Sequence, residues 1–104
     1  MSLNTEELAR TRSELRANLD LAGLTTAQVA TDLDWSADRL NTGLHSTRPS
    51  DPVDVWQLRD YLEHAVRDAG RTPAPFTILT SRNRITARMW FNLRTAPRHN
   101  FATA

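Results

Sequence analysis

The chain is 104 residues long, 39% hydrophobic and 24% charged, a size and composition that fit one globular domain with a single core. It holds no cysteine, so disulfides, thiol catalysis and cysteine-ligated zinc are excluded, and no apolar run approaches the ~20 residues that cross a bilayer. The net charge of +1 hides a split: residues 1–68 carry seven arginines and all twelve acids, a balance of −5, while residues 69–104 carry six arginines and no acid, a balance of +6. Such a chain reaches an anionic partner with its basic end, or joins an acidic and a basic surface within the fold or between subunits. The N-terminus lacks the basic-then-apolar order of a signal peptide, so the expected compartment is the cytoplasm.

A first helix is expected over about 5–22. Asn4 caps it, Glu7 closes a capping box, Leu3 staples onto Leu8, and Gly23 stops it. Leu8, Leu15, Leu19 and Ala22 recur at helical spacing, which leaves Arg10, Arg12, Glu14 and Arg16 for a charged outer face. Thr25 with Gln28 opens a second helix over about 26–33, and Ser36 opens a third over about 37–44. Asp34, Trp35 and Ser36 form a three-residue turn between them, the length that joins two helices steeply. Val29, Leu33, Trp35 and Leu40 are the expected apolar contacts, with Ala30 the small residue where the helices cross.

The stretch GLTTAQVATDLDWSADRL, residues 23–40, is similar to the repressor-type helix-turn-helix of bacterial and phage regulators, the lambda-repressor type. From MSLN through DPVDVWQLRDYL and PAPFTIL to MWFNL, the whole chain resembles a family of short bacterial proteins of unknown function. The first resemblance implies a DNA-binding fold whose third helix reads base edges with Ser36, Ala37, Asp38, Arg39, Asn41 and Thr42. Asp38 can accept from cytosine N4, and Ala37 can touch a thymine methyl. Against phosphate binding stand Asp32, Asp34 and Asp38, which outnumber the single Arg39 over residues 23–45; Asp34 also replaces the glycine usual in this turn, and Gly43 takes a position normally apolar.

After a polar loop, His45 to Ser50, a fourth helix is expected over about 52–69, capped by Asp51 with Pro52 in its first turn and ended by Gly70. Its stripe of Val55, Leu58, Leu62, Ala65 and Ala69, widened by Trp56 and Val66, marks it as the backbone of the core. Asp60 and His64, four residues apart, read as a surface pair, since no third metal ligand accompanies them. Residues 71–75 turn the chain. Beyond them Ile85, Ala87, Met89, Phe91 and Leu93 alternate with Arg84, Thr86, Arg88, Trp90 and Asn92. That alternation is read as a β-hairpin over about 76–93, in preference to a helix that the four-residue spacing of Ile85, Met89 and Leu93 also permits. The tail, 94–104, has no periodicity and is expected to be disordered.

The fold class expected is mainly α: one domain over 1–104, a four-helix bundle containing a helix-turn-helix, with a small C-terminal hairpin. Two functions follow. One is a DNA-binding transcriptional regulator, a homodimer on double-stranded DNA, with Arg82, Arg84, Arg88, Arg94 and Arg98 holding phosphates. The other is a non-catalytic interaction or dimerisation module that keeps the helix-turn-helix shape without binding DNA. An enzyme is not expected: His45, His64 and His99 lie far apart, with no nucleophile motif, phosphate loop or metal spacing, and nothing implies a cofactor.

Overall fold

The computed structural model describes residues 4–46 and 51–101, and in them the chain forms five helices and no strand. Helix α1, Thr5–Ala22, starts at Asn4, whose side chain accepts from the Glu7 N–H at 2.8 Å while Glu7 Oε1 accepts from the Asn4 N–H at 3.2 Å. It stops at Gly23 in the left-handed conformation, φ 71°. The staple expected from Leu3 lies outside the described residues. Leu8, Leu15 and Ala22 are buried, and so are Thr11, Arg12 and Asn18 on the same face. Arg12 therefore does not join the charged outer face expected of it. Its side chain crosses to the end of another helix, where carbonyl groups without helical partners need a donor.

Helix α2, Thr26–Leu33, opens with the Thr25–Gln28 box, and α3, Ala37–His45, opens at Ser36, whose hydroxyl accepts from the Arg39 N–H at 3.1 Å. Asp34 stands between them at φ 58°, the one non-glycine residue with positive φ among those described. An aspartate tolerates this region better than most side chains do, so the turn closes without the glycine. Val29, Leu33, Trp35 and Leu40 are all buried. Gly43, the other departure, lies where a Cβ would come 3.2 Å from Leu58 Cδ2, so the absent side chain lets α3 lie close on the next helix.

That next helix, α4, Pro52–Asp68, is the hub. Asp51 caps it through the Val53 N–H at 2.9 Å, and Val55, Leu58, Tyr61, Leu62, Ala65 and Val66 are buried along it. Helix α1 packs along it, α3 reaches it, and α2 touches α3. Two polar residues of α4 are buried as well, Gln57 and Arg59, and both tie down the chain beyond it.

The expected hairpin over 76–93 is absent: the first half is a bent loop and the second is α5, Ser81–Trp90. Side chains of the earlier helices hold the backbone here, just before the expected hairpin and within its first half. Asn18 accepts from the Ala74 N–H at 2.9 Å and donates to its carbonyl at 3.1 Å, Glu14 accepts from the Thr77 N–H at 3.0 Å, and Arg59 Nε donates to the Leu79 carbonyl at 3.0 Å. Thr80 then caps α5 by accepting from the Asn83 N–H at 3.2 Å. Of the alternating residues only Ala87 is buried within α5, while Ile85, Met89 and Trp90 stand 68%, 78% and 70% exposed. The period-two pattern thus marked a helix whose large apolar residues face outward.

Over 94–101 the tail lies against the helices; residues 102–104 lie outside the described part. Ala96 is buried, Gln57 Nε2 donates to the Thr95 carbonyl at 3.1 Å, and Arg98 Nε donates to Asp68 Oδ2 at 3.1 Å. His99 Nδ1 lies 2.7 Å from Asp32 Oδ2. Sequence periodicity is blind to such anchoring because each bond uses one side chain and one distant partner. No helix among the described residues is long and apolar enough to cross a membrane.

Candidate nucleic-acid interface

Helix α3 is held from beneath and left open above. Arg12 Nε donates to the Ser46 carbonyl at 3.1 Å and its Nη1 to the Gly43 carbonyl, while Arg16 Nη1 donates to the Leu44 carbonyl at 2.7 Å. Two arginines of α1 thereby serve the carbonyls that α3 leaves unpaired at its C-terminal end, where positive charge also suits the helix dipole. Burial holds the Arg12 guanidinium below its ordinary pKa, and Arg16 nearby adds to the effect. With that end fixed, Ser36, Ala37, Asp38, Asn41 and Thr42 are exposed together.

Arg39 is different. Its Nε and Nη2 grip Asp54 at 2.8 and 2.5 Å, and its guanidinium lies 4.6 Å from the centre of the Trp35 ring. The hydrogen bond to Asp54 raises its pKa, so the charge is fixed but committed within the fold. Neither Asp34 nor Asp38 is in an ion pair with a described residue, and both are exposed, so the outward surface of the turn and α3 carries acid.

The C-terminal arginines divide in two. Arg84 is bonded through both terminal nitrogens to Asp60, with Nη1 at 2.7 Å from Oδ2, and lies 4.9 Å from the Trp56 ring centre; the hydrogen bond to Asp60 raises its pKa. Arg98 holds Asp68. Part of the acidic and basic halves of the sequence therefore meet inside one molecule. Arg82, Arg88 and Arg94 are exposed and make no hydrogen bond or ion pair with a described residue.

These three are not beside α3. Helix α3 meets α4 at Asp54 and Leu58, whereas α5 meets it at Trp56 and Asp60. At about 100° of rotation per residue those two pairs lie on opposite flanks of α4. Arg88 and Arg94 instead share a cleft of about 470 Å³ with Asp60, His64 and Arg84, walled by Phe91 and Leu93. The expected Asp60–His64 pair does not form a unit: the Asp60 carboxylate is taken by Arg84 and by Arg59 Nη1 at 3.0 Å, and His64 Nδ1 is buried without a hydrogen-bond partner among the described residues.

The fold also assembles a trio that spacing could not reveal. Asp32 on α2 accepts from the Tyr61 hydroxyl on α4 and faces His99 Nδ1 at 2.7 Å, and the His99 ring meets Phe101 edge-on at 4.7 Å. Tyr61 is fully buried, and burial, followed by its bond to Asp32, pushes its hydroxyl pKa well up. The trio fastens the tail across α2 and α4, and the described partners of Asp32 include no serine, threonine or metal ligand set.

No curated protein and no solved structure matches the chain. A family model does, over residues 1–92. The chain belongs to the family described as uncharacterized protein conserved in bacteria (DUF2316).

Proposed function

We propose that the protein is a DNA-binding transcriptional regulator in which α2, the turn and α3 act as a helix-turn-helix. The observation that supports this most is the exposed run on α3: Ala37, Asp38, Asn41 and Thr42 face outward on a helix whose far end is anchored by Arg12 and Arg16. Asn41 offers the donor and acceptor pair that suits adenine, and Asp38 an acceptor for cytosine N4. Phosphate contact falls to the first turn of α2, where Thr26 and Ala27 are exposed, and to Arg82 on a separate stretch of backbone. The protein acts as a homodimer, and the exposed Ile85, Met89 and Trp90 of α5 offer apolar surface for a seam.

A specific observation favours a second reading. Exposed Asp34 and Asp38 near α3, with free arginines across the molecule, suit a module that docks on a protein or on another copy rather than on phosphate. Fluorescence anisotropy against a mixed-sequence duplex at several salt concentrations separates the two. The DNA reading requires binding that weakens steeply with salt and, on a duplex then selected from random sequences, a loss of about tenfold or more in Asn41→Ala with Thr42→Ala. Folded protein that stays unbound at low salt refutes it and leaves the interaction module.

A further inference from the structure

We propose that the cleft between α4 and the α5–tail return binds the terminal phosphate of a small phosphate monoester, or inorganic phosphate, between Arg88 and Arg94. This goes beyond the DNA reading and does not depend on it. The walls carry three arginines and one carboxylate, a formal excess of +2 with His64 neutral. Asp60 does not oppose an anion there, because its oxygens already accept from Arg84 and from Arg59. That pairing fixes Arg84 against Trp56 as part of the wall and leaves Arg88 and Arg94 with their donors unspent among the described residues.

Charge decides the ligand class. A phosphate monoester carries about −1.5 to −2 near neutral pH and accepts through three oxygens, which matches two free guanidinium forks. A carboxylate or a backbone phosphodiester supplies a single negative charge. Phe91 and Leu93 give the same cleft an apolar side for the body of an ester, and the volume, about 470 Å³, lies within the range of small-molecule sites.

The test titrates the full chain with inorganic phosphate and with phenyl phosphate by calorimetry, at constant ionic strength set with sodium chloride. Backbone amide shifts of residues 91–96 are followed in parallel. Saturable binding that moves those amides is expected, with affinity falling about tenfold or more in Arg88→Gln and in Arg94→Gln. Arg82→Gln, on α5 outside the cleft, should leave it unchanged. All three side chains are exposed, so the variants keep the fold. Absence of saturable binding, or equal weakening by all three variants, overturns the proposal. A mixed-sequence duplex added to the phosphate-loaded protein separates the sources. Retained phenyl phosphate supports the free ligand, and displacement by the duplex overturns that source and gives the cleft to backbone phosphate.

Discussion

Replacing Arg12 by methionine tests how α3 is held. Methionine keeps much of the apolar stem and removes the guanidinium, so the loss includes the bonds to the Gly43 and Ser46 carbonyls. Each such bond from a charged donor contributes about 1.5–3 kcal/mol, and the carbonyls left behind have few alternatives, since Arg12 is 3% exposed. The variant also escapes the cost of burying a charge, which offsets part of the loss. A net destabilisation of about 3 kcal/mol is expected; with a urea slope of about 1.5 kcal/mol/M the midpoint falls by about 2 M. Arg16→Met removes one bond from a half-buried side chain and should cost about 1 kcal/mol. Amide hydrogen exchange should speed up at the last turn of α3, residues 43–45, more than in α2. A change under about 1 kcal/mol for Arg12→Met, or equal costs for the two variants, would refute the view that Arg12 is the principal anchor of α3.

Three other changes probe the framework. Thr11→Val should raise stability by about 1 kcal/mol in urea unfolding, because the Thr11 hydroxyl is buried with no hydrogen-bond partner among the described residues and valine has nearly the same shape. Gly43→Val should cost about 1–3 kcal/mol by the same assay, since even a Cβ would sit 3.2 Å from Leu58 Cδ2. The tail should come loose in acid. The Arg98 hydrogen bond holds the Asp68 carboxyl below its ordinary value of 3.8, so the folded state takes up a proton less readily than the unfolded. The contact therefore contributes fully above about that pH and fades as pH falls through the lower folded value. Amide shifts of Ala96 and Phe101 should report the change, and its persistence in Asp68→Asn would count against Asp68 as the cause.

The framework of helices was legible in the sequence because its signals are local. Asn4 with Glu7, Thr25 with Gln28, Ser36, and Asp51 with Pro52 satisfy backbone groups within three or so residues, and each opens a helix in the structure. The apolar core of α1 and α4 followed for the same reason, since a 3.6-residue period survives whatever packs against it. Thr80 caps α5 by the same kind of local bond, yet the alternation after it points to a strand, and an alternation has meaning only if a second strand exists to pair with.

What tertiary structure alone decided was the destination of the long polar side chains. Arg12 and Arg59 look like surface residues by composition and become buried donors because carbonyls from α3 and from the loop after α4 arrive beside them. Asn18 and Glu14 bond the backbone of the same loop, where a hairpin was expected. The charge split was plain in the sequence, yet only the fold sorted its arginines into those closed by Asp54, Asp60 and Asp68 and those left open at 82, 88 and 94. A cap is written in neighbouring residues, whereas an ion pair or a cleft between residues 24 or more positions apart exists only once the chain has closed around it.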